Sequence, residues 1–325
     1  MQPPRLPPRD GQLGFLHLPP VRVQGISVGG EQAVVHIPEF DLAFDIGLCP
    51  RVALTASCVA LSHAHMDHVA GLPYWFSQRY FQKLGSGKVI CHVQIAPAIA
   101  AMMRSWVDLE RQRTPHEILP VEPEQDTPLK NNLRLRAIAV SHTVPALGYA
   151  LIEKRSKLKE EFVGMSQEQL RRLRMDGVEI SRAFDVPLVA YTGDTEPGEF
   201  LLRPEFAQAR VVITECTFFD PAHRERARTG KHIHVDDLPE YLRCWQAEHV
   251  VVVHVSRRTA MQYARQRLDE LDGGAHSARL HMLMDHRTNR ARLAMASGAS
   301  QEPAVDNSEV RPADGVSPLV TEESD

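Results

Sequence analysis

In the stretch LSHAHMDHVAG, residues 61 to 71, four groups able to bind a metal or move a proton fall within six positions: His63, His65, Asp67 and His68. Residues two apart on an extended or turning segment point the same way, so His63, His65 and Asp67 can converge, with His68 reaching round from the next position. Imidazole and carboxylate donors without thiolate suit Zn²⁺ or a related divalent ion at a catalytic centre rather than a closed structural one. The plainer alternative is a solvated loop before a helix, with Asp67 as its cap. Burying so many unpartnered imidazoles would be costly, which weighs against it.

The elements that must position these groups can be read from apolar runs. CVALS (58 to 62) leads to His63, LRLRAIAVS (133 to 141) to His142, VPLVAYT (186 to 192) to Gly193 and Asp194, VVIT (211 to 214) to Glu215, and VVVV (250 to 253) to His254. Each run reads as a strand, and residues 133 to 139 alternate with the period of two expected of a half-exposed one. In α/β folds, sites gather where loops converge at the carboxyl ends of strands. Taken singly, His142 or His254 reads as an ordinary hydrogen-bonded histidine. With His142, Asp194 and His254 added to the loop at 63 to 68, seven donors result, more than one catalytic ion needs. Seven is natural for two ions sharing a bridging carboxylate, a centre suited to in-line displacement at phosphorus.

The chain has 325 residues, 43% of them hydrophobic, and a net charge of −4. That is an ordinary soluble composition, and it argues against a chain coated in nucleic acid without excluding a local basic patch. Five scattered cysteines, Cys49, Cys58, Cys91, Cys216 and Cys244, contain no C-x-x-C pair, so a reducing compartment with free thiols is expected. No run is long and apolar enough to span a membrane, and the proline- and arginine-rich start makes a poor secretory signal. These points predict a cytoplasmic protein. GISVGGEQAVVHI and LAFDIG read as early strands. Residues 96 to 113 form a predicted helix with Ile99, Met102, Met103, Trp106 and Leu109 on its apolar side, and 236 to 247 another, started by Asp236 or Asp237. Residues 1–20 are expected to be a disordered Pro-rich leader and 290–325 a disordered acidic tail, leaving one domain over 21–289.

HAHMDH followed by GLP resembles the HxHxDH signature of the metallo-β-lactamase superfamily, and SHTVPALGY, YTGDT and VVVHVSRR resemble its later ligand motifs. More narrowly, ISVGG with AFDIGLCP, ECTFFD…KHIHVDDL and the insert KRSKLKEEFVGMSQEQLRRLRMDGVEIS resemble the ribonuclease Z family, over residues 22 to 270. The resemblance implies an αββα four-layer sandwich with a small protruding basic arm at about 153–182. It implies endonucleolytic removal of the 3′ trailer from precursor tRNA, leaving a 3′-hydroxyl, by a homodimer in which one subunit's arm holds tRNA for the other's site. It implies two Zn²⁺ per subunit, with Mn²⁺ the alternative ion. One would be held by His63, His65 and His142, the other by Asp67, His68 and His254, with Asp194 bridging. Asp67 would also orient or deprotonate the attacking water, and His232, backed by Glu215, would serve the leaving oxygen. Without the resemblance, Glu215 reads as a strand-end carboxylate bonded to loop amides and His232 as a loop histidine.

The insert also has its own reading. Residues 154 to 174 hold seven cationic side chains against three carboxylates, on a chain that is acidic overall. Such a run is a solvated helix face or a clamp on phosphates, which positions nucleic acid without reading its sequence. Lys154, Arg155, Lys157 and Lys159 are the residues expected to make that clamp, with Phe162 and Met165 packing the arm's base. Two departures from the family pattern stand out. HVSRRT replaces the usual His-Phe-Ser-x-Arg-Tyr, and Lys231 sits where glycine commonly precedes the histidine. The alternatives to a precursor-tRNA nuclease are another hydrolase of this fold, acting on small phosphodiesters or thioesters, and a non-catalytic RNA-binding protein.

Overall fold

The computed structural model describes residues 13–297. Among the described residues, fifteen strands divide between two sheets. Strands β1 (Gly14–Leu18), β2 (Val21–Gly29), β3 (Gln32–Ile37), β4 (Leu42–Phe44), β5 (Cys58–Ala60), β6 (Gly87–His92) and β7 (His116–Val121) lie side by side in that order. The second sheet holds β8 (Asp126–Pro128), β9 (Leu133–Ala139), β10 (Leu147–Leu158), β11 (Ser181–Tyr191), β12 (Val211–Glu215) and β13 (His249–Val253). The two-residue β14 (Val255–Ser256) crosses back to pair with β2, and β15 (Leu280–Met282) closes the second sheet beside β13.

Side-chain alternation explains the layering. Along VVVV, Val251 and Val253 face the other sheet, whereas Val250 and Val252 face the helices outside. Val35 and Ile37 likewise point inward between the sheets and Val34 outward. A strand buried on both faces reads as an unbroken apolar run, which is why VVVV shows no alternation in sequence. Three apolar layers result: one between the sheets, one under the helices Leu72–Phe81 and Ala96–Glu110, and one under Pro204–Ala207, Leu238–Cys244 and Met261–Asp269. Each fully buried Val, Leu or Phe contributes on the order of 1.5–3 kcal/mol of transfer free energy. The arrangement is the expected αββα sandwich.

The folded region is wider than 21–289. Leu13, Phe15, Leu16 and Leu18 are buried, and β1 pairs antiparallel with β2, so the apolar GFLHL run inside the leader belongs to the first sheet. At the other end a helix covers His286–Ser297. Asn289 anchors it by donating to the carbonyls of Met282 and Leu283, and Arg292 by donating to that of Leu280. Its polar composition hides these tertiary bonds. The rest of the expected leader and tail lies outside the described residues.

The helix at 96 to 113 is shorter, Ala96–Glu110, and buries Ile99 and Met103. Trp106 and Leu109 are exposed, because the helix overhangs the sheet beyond Met103. The second predicted helix spans Leu238–Cys244 after a 3-10 turn at Val235–Asp237. Asp237 stands at its N-cap, but its carboxylate accepts from the His234 N–H rather than from the helix.

Candidate metal centre

The loops leaving β4, β5, β9, β11, β12 and β13 meet at one edge of the sandwich. His63 is the third residue after β5, and Asp67 and His68 sit in the one-turn helix Met66–Val69. His142 follows β9, Asp194 follows β11, Glu215 ends β12, and His254 links β13 to β14. The close approach demands small residues. A Cβ on Gly47 would lie 1.7 Å from the Asp67 carbonyl oxygen. Gly193, which aims Asp194, has φ +60°, and a Cβ there would lie 2.6 Å from that of Ser62.

The seven predicted donors do converge. His63, His65 and His142 bring one ligand atom each within 4.8 Å of one another, and so do Asp67, His68 and His254. Asp194 lies between the groups, its Oδ2 being 4.0 Å from His63 Nε2, 3.3 Å from His68 Nε2 and 3.3 Å from His254 Nε2. Asp67 Oδ2 approaches His254 Nε2 at 3.4 Å and accepts from the Gly30 N–H at 3.0 Å.

The outward-facing ring nitrogens fix which form each imidazole takes. His68 Nδ1 donates to Asp45 Oδ2 at 2.9 Å. His63 Nδ1 meets the Ser62 hydroxyl, which itself donates to Asp45. His142 Nδ1 donates to the Lys231 carbonyl, and His254 Nδ1 to the Thr217 hydroxyl at 2.9 Å. His63, His142 and His254 therefore carry their proton outward and aim an Nε2 lone pair inward. Burial opposes a charge on His68, but Asp194 and Asp45 on its two sides raise its pKa, so its Nε2 offers a lone pair only where a cation takes the proton's place. His65 is reversed, with Nδ1 facing His63 Nε2 at 2.9 Å and Nε2 near the Thr143 hydroxyl. Lone pairs aimed at one another a few ångströms apart repel unless a cation sits among them, so the donor set fits divalent ions. Burial also holds His63, His65 and His142 below their ordinary pKa, His63 furthest, which keeps them in the neutral, ligating form.

Beside this cage, His232 Nδ1 donates to Glu215 Oε1 at 2.9 Å. The fully buried Glu215 also accepts from the Thr195 N–H and the Thr217 hydroxyl. Burial opposes a charge on His232, but the Glu215 carboxylate, through charge and hydrogen bond, outweighs it and raises the pKa to about 9. His232 and His254 both line a cavity of about 500 Å³ that Arg226 and Arg258 also border. Lys231 takes a left-handed backbone, φ +53°, and spans to Glu196 and Ser141 at 3.0 Å each. It thereby ties the loops of His142, Asp194 and His232 together.

Sequence reading missed Asp45, Thr217 and Ser62. Asp45 is fully buried and accepts from the Ser62 N–H and hydroxyl, His68 Nδ1 and the Tyr191 hydroxyl. The only local signal is a carboxylate inside the apolar run LAFDIG.

The insert stands out from the second sheet as a ribbon of β10 and β11 tipped by the helix Gln167–Met175. Arg155 and Lys157 share one face of the ribbon, while Lys154 lies on the other, directly across from Asp185. Arg155 pairs with Glu153 and Lys159 with Glu179, so the four expected cations do not form one patch. Leu170 and Ile180 are the arm's buried residues, whereas Phe162 is half-buried and Met165 exposed.

Residues 50–255 match the model of the β-lactamase superfamily domain. Among curated proteins the chain is similar to tRNase Z TRZ1 of Arabidopsis thaliana, 28% identical over 73% of this chain and 85% of that one. It is 30% identical to the chloroplastic tRNase Z TRZ2 of the same plant, over 75% of this chain and 70% of that one. Among solved structures, the short form of human tRNase Z superposes with a TM-score of 0.50 at 15% identity, over 76% of this chain and 93% of that chain. The chain belongs to the metallo-β-lactamase superfamily and, within it, to the ribonuclease Z family of metal-dependent endoribonucleases.

Proposed function

We propose that the protein cleaves the 3′ trailer from precursor tRNA, leaving a 3′-hydroxyl, with two Zn²⁺ per subunit or Mn²⁺ in their place. The observation that carries this reading is the pair of donor triads meeting at Asp194 with their lone pairs turned inward. His63, His65 and His142 would hold one ion, Asp67, His68 and His254 the other, and Asp194 both. When bound, such ions supply hydroxide near neutral pH and offset charge developing on the phosphate.

The chain's own groups do the rest. Asp67, held by the Gly30 N–H, orients the attacking water or accepts its proton. His232, charged below about pH 9 and fixed by Glu215, donates a proton to the departing ribose 3′ oxygen. Lys154, Arg155, Lys157 and Lys159 on the arm hold the tRNA body through its phosphates, Arg155 and Lys157 from one face of the ribbon.

The acting form is a homodimer in the cytoplasm. In its support, Met66, Tyr74, Phe81, Trp106 and Leu109 are large apolar side chains left exposed on the helices of the first sheet's side. Cys58, Cys91 and Cys216 are buried free thiols, in keeping with a reducing compartment. Among the described residues no helix is long and apolar enough to cross a membrane.

The test is cleavage of precursor tRNA and of bis-p-nitrophenyl phosphate by the full chain and by a deletion of residues 154–180. Loss of tRNA cleavage with the small ester still hydrolysed supports the nuclease. Equal effects on both substrates favour a small-ester hydrolase. Activity on neither, with RNA binding retained, favours a binding protein.

A further inference from the structure

The arm is a two-stranded ribbon, and such ribbons are floppy unless something braces them. Past Glu153 it runs for five cross-strand pairs, Lys154–Asp185 to Leu158–Ser181, before the tip begins. At about 3.3 Å per residue that is a lever of about 16 Å, so a root tilt of about 10° moves its end by about 3 Å.

The root is braced on the outer face of the second sheet. Asn132, just before β9, holds the β10 side: its side chain donates to the Glu153 carboxylate and the Lys154 carbonyl, and its own carbonyl accepts from the Lys154 N–H. The β11 side has no strand neighbour until Val189 meets β12. Its brace at Asp185 is Arg134 of β9, which reaches over β10 with a two-pronged bond of 2.9 and 2.5 Å. Arg134 is itself fixed by Asp126 at 2.8 Å. Asp126 also takes two bonds from Arg136, which in turn reaches Glu205 on the covering helix Pro204–Ala207. The guanidinium of Arg134 is thus pre-oriented by the body before it grips the arm. Ion pairs that are bidentate and networked are the ones that hold a geometry.

We propose that Arg134 and Asp185 are positioning residues that set the direction of the arm and so select large folded substrates. The proposal rests on the reading of the arm as the tRNA holder. Neither residue touches the reacting atoms. Losing the pair lets the arm swing, which weakens capture of a substrate that must bridge arm and metal centre. It leaves chemistry on a small ester untouched.

The experiment compares the full-length protein with Asp185→Ala, Asp185→Glu, Arg134→Lys and the 154–180 deletion, on precursor tRNA and on bis-p-nitrophenyl phosphate. For Asp185→Ala the expected result is a KM for precursor tRNA raised about 10-fold, kcat within about twofold, and an unchanged rate on the ester. Asp185→Glu, unlike Asp185→Ala, keeps most of the parent's affinity, whereas Arg134→Lys, which keeps the charge but not the fork, raises KM nearly as much as Asp185→Ala. An unchanged KM in Asp185→Ala while the deletion raises it overturns the brace and leaves the arm reading standing. A deletion that spares precursor cleavage overturns both. Equal losses on both substrates, or no recovery with Glu, also overturn the brace.

Discussion

Replacing Asp45 by Asn tests whether the metal centre depends on a carboxylate that binds no metal itself. Asp45 has a left-handed backbone, φ +58°, which Asn tolerates, so the variant should fold. Oδ1 accepts from the Ser62 N–H at 2.6 Å, a bond an amide oxygen preserves. Oδ2 accepts from the Ser62 hydroxyl at 2.8 Å, His68 Nδ1 at 2.9 Å and the Tyr191 hydroxyl at 2.7 Å. An amide NH₂ in that place would face three donors. The hydroxyls can turn away, but a neutral, metal-binding His68 can adapt only by moving its proton to Nε2, which removes the lone pair the ion needs. Losses of this kind cost about 10- to 100-fold in metal affinity, or roughly 1.4–2.8 kcal/mol. The expected result is weakening of the Asp67, His68 and His254 site by that factor, read by competition with a chromogenic chelator, with the other triad less affected. Asp45→Ala leaves the same donors buried with no acceptor and should lower unfolding free energy by about 3–5 kcal/mol, since such losses add incompletely. An Asp45→Asn protein that binds both ions as tightly as the parent would refute the reasoning.

Further outcomes follow from the same geometry. His232→Ala should lower kcat on precursor tRNA by about 10²- to 10⁴-fold with metal content unchanged. Because Glu215 raises the His232 pKa to about 9, rate should hold below that pH and fall as pH rises through it; Glu215→Gln should shift the fall to lower pH, read from kcat–pH profiles. Gly193→Ala, with φ +60° and 2.6 Å to the Ser62 Cβ, should cost about 1–3 kcal/mol in urea unfolding and perturb metal binding through Asp194. Trp75→Ala, fully buried under the first sheet and donating to the Ala53 carbonyl, should cost about 3–5 kcal/mol yet leave activity per folded molecule intact.

The candidate metal centre was legible because its side chains punctuate the ends of apolar runs, and a strand end fixes where the next side chain lies. His63, His142, Asp194, Glu215 and His254 each follow a run that forms a strand. What was not legible depends on partners distant in sequence. Asp45 draws its bonds from residues 62, 68 and 191, and nothing adjacent to it announces them. Trp106 and Leu109 fit the helical period of their neighbours, but period alone does not say where a helix outruns the sheet beneath it. The leader's proline content masked β1, whose GFLHL run is ordered by pairing with β2. In the arm, composition showed the positive surplus, but strand alternation and the pairs with Glu153, Asp185 and Glu179 decide which cations face outward together.

The central claim is that two divalent ions sit among seven side chains from four loops. Elemental analysis of the dialysed protein, run beside His63→Ala and His254→Ala, measures it. The account predicts two tightly held ions per chain in the parent and one in each variant, with precursor cleavage lost in both. A parent that cleaves precursor tRNA fully while holding one ion or none, or a variant that keeps two, contradicts it.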